Sequence, residues 1–210
     1  KILRKYINPE YLTATSLEQL GKHFVDDASV QLCDFLNADV AAALFTSAQA
    51  CDSADKLGNG SPPAGYEVGA VDGWSVVGPP HKCRYLRYSK SDNTSSSAAG
   101  TVGKLMQELK QSLFQSPAFF RFLAKISLCE ISAYRNEVRR FRPGLDYTIA
   151  HRGDCTEDTC LDVTLCFVDT SSEEKKEQWE NGDMGGFECF VAPEEDENAP
   201  ASAAVYIMQD

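Results

Sequence analysis

"DYTIAHRGDCTEDTCLDVTLCFVD", residues 146–169, decides how the second half of the chain is read. Asp146 to His151 reads as a strand, the turn-rich "RGDCTEDT" as a connection, and Cys160 to Val168 as another strand. Within the latter, Cys160, Asp162, Thr164 and Cys166 alternate with Leu161, Val163, Leu165 and Phe167. That period of two is the signature of a sheet with one packed face.

Working outward, the same grammar recurs. "LCEISA" (128–133) and "EVRRF" (137–141) precede the stretch, and "GGFECFVA" (185–192) and "AAVYIM" (203–208) follow it. Turn signals at Pro143-Gly144, Arg152-Gly153 and Gly185-Gly186 separate several of them. Upstream the pattern is mostly helical. A turn at Asn8-Pro9 leads to a capping-box pattern at Ser16–Gln19, with Leu17, Leu20 and Phe24 at helical spacing. A strand at Val30–Phe35 and a helix capped by Asn37 or Asp39 come next. "GWSVVGPPHKCRYLRY" (73–88) reads as a strand pair broken at Gly78-Pro79-Pro80. A helix over Val102–Phe114 stops before Pro117, and "AFFRFLAKI" (118–126) is a shorter helix. Loops are expected near 52–70, 89–101 and 171–183. Helices first and antiparallel strands after predict an α+β protein built on a sandwich or jelly roll.

Composition narrows the function. The chain has 210 residues, which suits one domain, and 43% apolar residues, enough for a core. A formal charge of −11 argues against a nucleic-acid backbone as the main partner. The charge is uneven. Glu173–Asp196 is rich in carboxylates, which suits a solvated loop or docking onto a basic partner. Arg135, Arg139, Arg140 and Arg142 crowd together, and with Trp179 in the acidic loop they are the candidate partner-binding residues. The eight cysteines are scattered, several inside apolar runs, which predicts buried thiols in a reducing, intracellular compartment. No apolar run approaches the roughly 18 residues of a membrane span.

Three histidines bound every metal hypothesis. A facial iron site needs two His and one carboxylate, commonly as His-x-Asp or His-x-Glu at a strand end. His151 is followed by Arg152 and Gly153, and Asp154 comes one position late. His23 falls in a predicted helix, and His81 follows a double proline. Zinc lacks any Cys-x-x-Cys pair, and no cysteine is marked as an activated nucleophile. Arg152-Gly153-Asp154 and Asn93-Thr94-Ser95 spell extracellular motifs, read here as coincidences in an intracellular chain.

Seven segments in order carry a resemblance: "YINPEYL", "DDASVQLCDFLN", "WSVVGPPHKCRYL", "SPAFFRFLAKIS", "EVRRFRPGLDYTIAH", "LDVTLCFV" and "WENGDMGGFECFVAP". Together they resemble the C-terminal domain of the intracellular 2-oxoglutarate- and iron-dependent prolyl hydroxylases that modify a ribosomal small-subunit protein. That domain is also called the oxygenase C-terminal degradation domain, after its part in fungal oxygen sensing. The resemblance implies a double-stranded β-helix (a jelly-roll or cupin-like fold) with flanking N-terminal helices. It implies a linker over residues 1–15 from an upstream catalytic domain, one C-terminal domain over 16–210, and final strands beyond Asp210.

The resemblance further implies that the upstream domain binds Fe(II), 2-oxoglutarate and ascorbate, and that this segment binds none of them. Catalytic, cofactor and metal residues are expected to be absent here, with His151 a relic and Gly153 at the carboxylate position. Expected partners are the ribosomal protein, the upstream domain and a regulator, in cytoplasm or nucleus, without membrane. Two alternatives stay open: an active dioxygenase with an atypical His151–Asp154 site, and a purely structural domain.

Overall fold

The computed structural model describes residues 1–57, 65–89, 101–149, 159–168, 172–181 and 201–209. Two compact units emerge, and each has its own core. The chain is α+β, with mixed helices and an antiparallel sheet among its elements.

The first unit begins where a linker is expected. Residues Ile2–Tyr6 form α1, and Pro9–Leu12 form a 3-10 turn whose Asn8 side chain accepts a hydrogen bond from the Glu10 N–H. Ile7 is fully buried and bridges Leu36, while the Asn8 N–H donates to the Phe35 carbonyl at 2.8 Å. Ile7 and Asn8 thus anchor the start of the chain to the segment that follows β1. α2 (Ala14–Asp27) starts one turn earlier than the capping-box pattern suggests. Thr13 is the N-cap, its Oγ1 accepting from the Ser16 N–H at 3.1 Å.

β1 (Ser29–Leu32) buries Val30 and Leu32 on one side. On α5 (Pro117–Ser127), Phe119, Phe122, Leu123 and Ile126 fall at i, i+3, i+4 and i+7 and are all buried. Phe35 sits among Tyr11, Phe119 and Phe122, with ring centroids at 5.8, 6.4 and 5.9 Å.

β6 (Thr159–Phe167) and β7 (Ala201–Gln209) complete a sheet in the order β1-β7-β6. Both pairings are parallel, with Val163 opposite Val205 and Val30 opposite Val205 on the other edge. The sequence led us to expect antiparallel strands here. A parallel pair needs a long crossover, and the segment between β6 and β7 is long enough to supply one. The segment also carries α6 (Glu173–Glu180), where a loop was expected. Ser172 caps α6 by accepting from the Lys175 N–H, and Glu173 and Glu174 in its first turn suit the helix dipole. The alternation in β6 is muted, since Asp162 is exposed and its other described neighbours are half-buried.

The second unit includes α3 (Ala38–Ala54) from Ala42 onward, together with β2 (Trp74–Val77), β3 (Cys83–Tyr88), α4 (Val102–Leu109), β4 (Val138–Arg140) and β5 (Tyr147–Thr148). β2, β3 and β4 form an antiparallel sheet, with β5 pairing beside Cys83 and Arg84. The expected strand at Leu128–Ala133 is absent. Leu128 takes a positive φ of 57° directly after α5 and is exposed, so the chain turns away before any ladder begins. The Pro143-Gly144 turn is present, with Gly144 at φ 72° and the Leu145 N–H donating to the Arg142 carbonyl.

Trp74, Leu86, Tyr88 and Val102 form the core of this unit, flanked by Ala48, Cys51, Ala70, Met106 and Val138. α4 continues into a π-helical turn at Lys110–Phe114, so the helical run ends at Phe114 as the sequence predicts. Gly103 marks the tightest contact. A Cβ there would lie 2.3 Å from Tyr88 Cε2 and 3.1 Å from Trp74 Nε1. Helix propensity favours Gly103→Ala by about 1 kcal/mol, but overpacking costs about 1–3 kcal/mol. Packing wins: the variant is expected to unfold at lower urea concentration, and an unchanged or raised midpoint contradicts this packing. Among the described residues, no helix is long and apolar enough to cross a membrane.

Candidate functional site

The arginine cluster was the main sequence candidate, and strand geometry divides it. Successive residues of β4 point to opposite faces, so Arg139 and Arg140 part company. Arg140 turns toward α3, where its Nη2 donates to Asp52 Oδ1 at 2.7 Å. Its Nη1 lies 2.7 Å from Asp55 Oδ2, an ion contact without aligned hydrogen-bond geometry. Burial alone would lower the pKa of this guanidinium, but the two carboxylates outweigh it and the net shift is upward.

Arg142 is buried completely. Its Nε and Nη2 grip the two oxygens of Asp146, each at 2.8 Å, and Nη1 donates to the carbonyls of Tyr66 at 2.7 Å and Val68 at 2.5 Å. Both side chains of the ion pair are 0% exposed. Arg140 and Arg142 are therefore committed inside the unit and leave the expected contact surface. The sequence could not show this, because Asp52, Tyr66 and Val68 lie far upstream.

Arg139 and Arg135 remain exposed. Arg139 lies over the Tyr85 ring, 5.0 Å from its centroid, and donates through Nε to Glu137 Oε1. The Tyr85 hydroxyl donates to that same oxygen at 3.1 Å. Burial is the chief cause of the raised Tyr85 phenol pKa, with Arg139 opposing and Glu137 adding. Trp179 is half-buried on α6.

His151, Gly153, Asp154 and Cys155 lie outside the described residues, as do the Arg152-Gly153-Asp154 and Asn93-Thr94-Ser95 motifs and the expected strand at 185–192. His23 is on exposed α2, its Nδ1 2.9 Å from Asp27. His81 is exposed in the turn between β2 and β3. Among the described residues, no group of three His, Cys, Asp or Glu could hold a metal ion. The described residues therefore offer no donor set for a resident iron. Burial raises the pKa of the Cys51 and Cys166 thiols.

The sequence reading missed the residues around Arg139. Arg87 lies directly opposite it in register, and Tyr85 stacks on Phe141 at 5.4 Å. The "CRYLRY" alternation puts Tyr85 and Arg87 on one face, but only the β3–β4 register brings Arg139 alongside.

Two comparisons bear on what this architecture serves. The chain is 37% identical over 191 residues to a protein of Ostreococcus tauri named prolyl 3,4-dihydroxylase OGFOD1. That match covers 90% of this chain but only 35% of the relative, so the chain spans about a third of the relative's length. Residues 1–210 also match, from end to end, the family described as "Oxoglutarate and iron-dependent oxygenase degradation C-term". The chain accordingly belongs to the C-terminal degradation-domain family of oxoglutarate- and iron-dependent oxygenases.

Proposed function

We propose that this chain is a non-catalytic C-terminal domain of a prolyl hydroxylase, serving to bind protein partners and to support an upstream catalytic domain. The parent enzyme would use Fe(II), 2-oxoglutarate and ascorbate to hydroxylate a proline of a ribosomal small-subunit protein, in cytoplasm or nucleus. The relative's name supports the prolyl chemistry, and the family description supports the cosubstrate and the metal. The fold completing the reading is a double-stranded β-helix, to which the antiparallel β2–β3–β4 sheet would contribute.

One observation carries the non-catalytic role. Where a facial iron site needs a carboxylate two residues after the histidine, this chain has Gly153, which has no side chain to ligate. The test is Fe(II) titration of the 210-residue chain under anaerobic conditions, with 2-oxoglutarate present. No saturable binding in the micromolar range is expected. Micromolar binding that disappears in His151→Ala, or succinate formed by this chain alone, overturns the proposal.

A further inference from the structure

We propose that the solvent-facing side of the β2–β3–β4 sheet, centred on Arg87 with Arg139 and Phe141 beside it, docks a carboxylate-bearing segment of a protein partner. The inference rests on the partner-binding reading above and gives it a surface and a ligand chemistry. Alternation along β3 and β4 puts Tyr85, Arg87 and Arg139 on the face opposite the Trp74–Leu86–Tyr88 core, and Phe141, just past β4, joins them by stacking on Tyr85. Arg87 and Arg139 are in-register partners, 50% and 45% exposed. Like charges directly opposite each other on neighbouring strands are destabilising, so this arrangement is costly for the isolated fold.

Glu137 relieves it only in part. Its Oε1 takes Arg139 and the Tyr85 hydroxyl, while Oε2 is 3.9 Å from Arg87 Nη1, beyond hydrogen-bond length. Among the described residues, two guanidinium groups share one carboxylate, which leaves one positive charge in excess. Arg87 makes no closer ion pair among the described residues, so its planar fork is available for a bidentate carboxylate. Phe141, 49% exposed and stacked on Tyr85, supplies an adjoining ring for an apolar side chain.

The excess charge selects the ligand class. A nucleic acid loads several phosphates along a basic stripe, whereas one uncompensated charge suits a single Asp or Glu. A chain of formal charge −11 further disfavours a polyanion.

The experiment is NMR of arginine Nε–H signals in the intact chain. It is titrated with the end-blocked peptide GDLEFG, with its amide counterpart GNLQFG, and with decauridylate. The Arg87 signal is expected to move saturably with GDLEFG, with GNLQFG at least about threefold weaker, the range of an exposed charge contact. Arg87→Gln should abolish the response to GDLEFG while leaving the circular dichroism unchanged and the melting temperature equal or higher, since it removes a like-charge pair. Equal affinity for both peptides, persistence of binding in Arg87→Gln, or a tighter response to decauridylate overturns the proposal. If Arg87→Gln binds GDLEFG normally while removal of the whole domain still weakens the parent's hold on its substrate, the face is wrong and the partner-binding role survives.

Discussion

Arg142→Met is expected to destabilise the second unit by about 3–5 kcal/mol, the cost of breaking a buried ion pair from one side. Among the described residues, the Asp146 carboxylate would keep the backbone N–H of residue 142 and, 3.9 Å from Oδ1, Arg84 Nε, but would lose both guanidinium hydrogen bonds. The Tyr66 and Val68 carbonyls would lose their donor as well. Since a domain's whole stability is about 5–15 kcal/mol, this one side chain decides whether the unit stays folded. Arg142→Lys should rescue little, because an ammonium cannot span both oxygens of Asp146 and two carbonyls in one plane. The double variant Arg142→Met with Asp146→Leu should recover part of the loss. Recovery is incomplete because the carbonyls, and the Arg142 N–H that now donates to Asp146 Oδ2, stay unsatisfied at about 1–3 kcal/mol each. Urea unfolding followed by Trp74 fluorescence, in a Trp179→Phe background, measures all three. A loss below about 1 kcal/mol for Arg142→Met contradicts the buried clamp.

Phe35→Ala should cost the first unit about 3–5 kcal/mol. Phe35 is fully buried and touches three rings, so truncation removes both its own burial and the edge and tilted contacts to Tyr11, Phe119 and Phe122. Aromatic pairs are worth about 0.5–1.5 kcal/mol beyond area, which puts the loss toward the upper part of that range. Phe35→Leu keeps much of the volume and should cost distinctly less. Circular dichroism of the helices during urea unfolding is the measurement. Equal stability of Phe35→Ala and wild type would mean the core lies elsewhere.

Local signals in the sequence survived best. The short helix around "AFFRFLAKI", the Pro143-Gly144 turn and the β2–β3 pair around Gly78-Pro79-Pro80 were legible because each depends on residues within a few positions. What failed depended on distant partners. "LCEISA" has the composition of a strand, yet a left-handed Leu128 sends it off the sheet. β6 and β7 pair in parallel, a choice that periodicity does not encode. The four arginines look alike in sequence, but one neighbour in β4 sets which face each takes, and Asp52, Asp55, Tyr66 and Val68 decide which are consumed. Arg87 escaped notice for the same reason, since Arg139 is its neighbour only through register.

Steady-state hydroxylation by the proposed parent enzyme, with and without these 210 residues, addresses the proposed partner-binding role most directly. KM for the full protein substrate should rise about tenfold when they are removed, equivalent to about 1.4 kcal/mol of lost binding, while kcat on a short proline peptide stays the same. An unchanged KM, or a kcat on the short peptide that vanishes with the domain, would contradict the account.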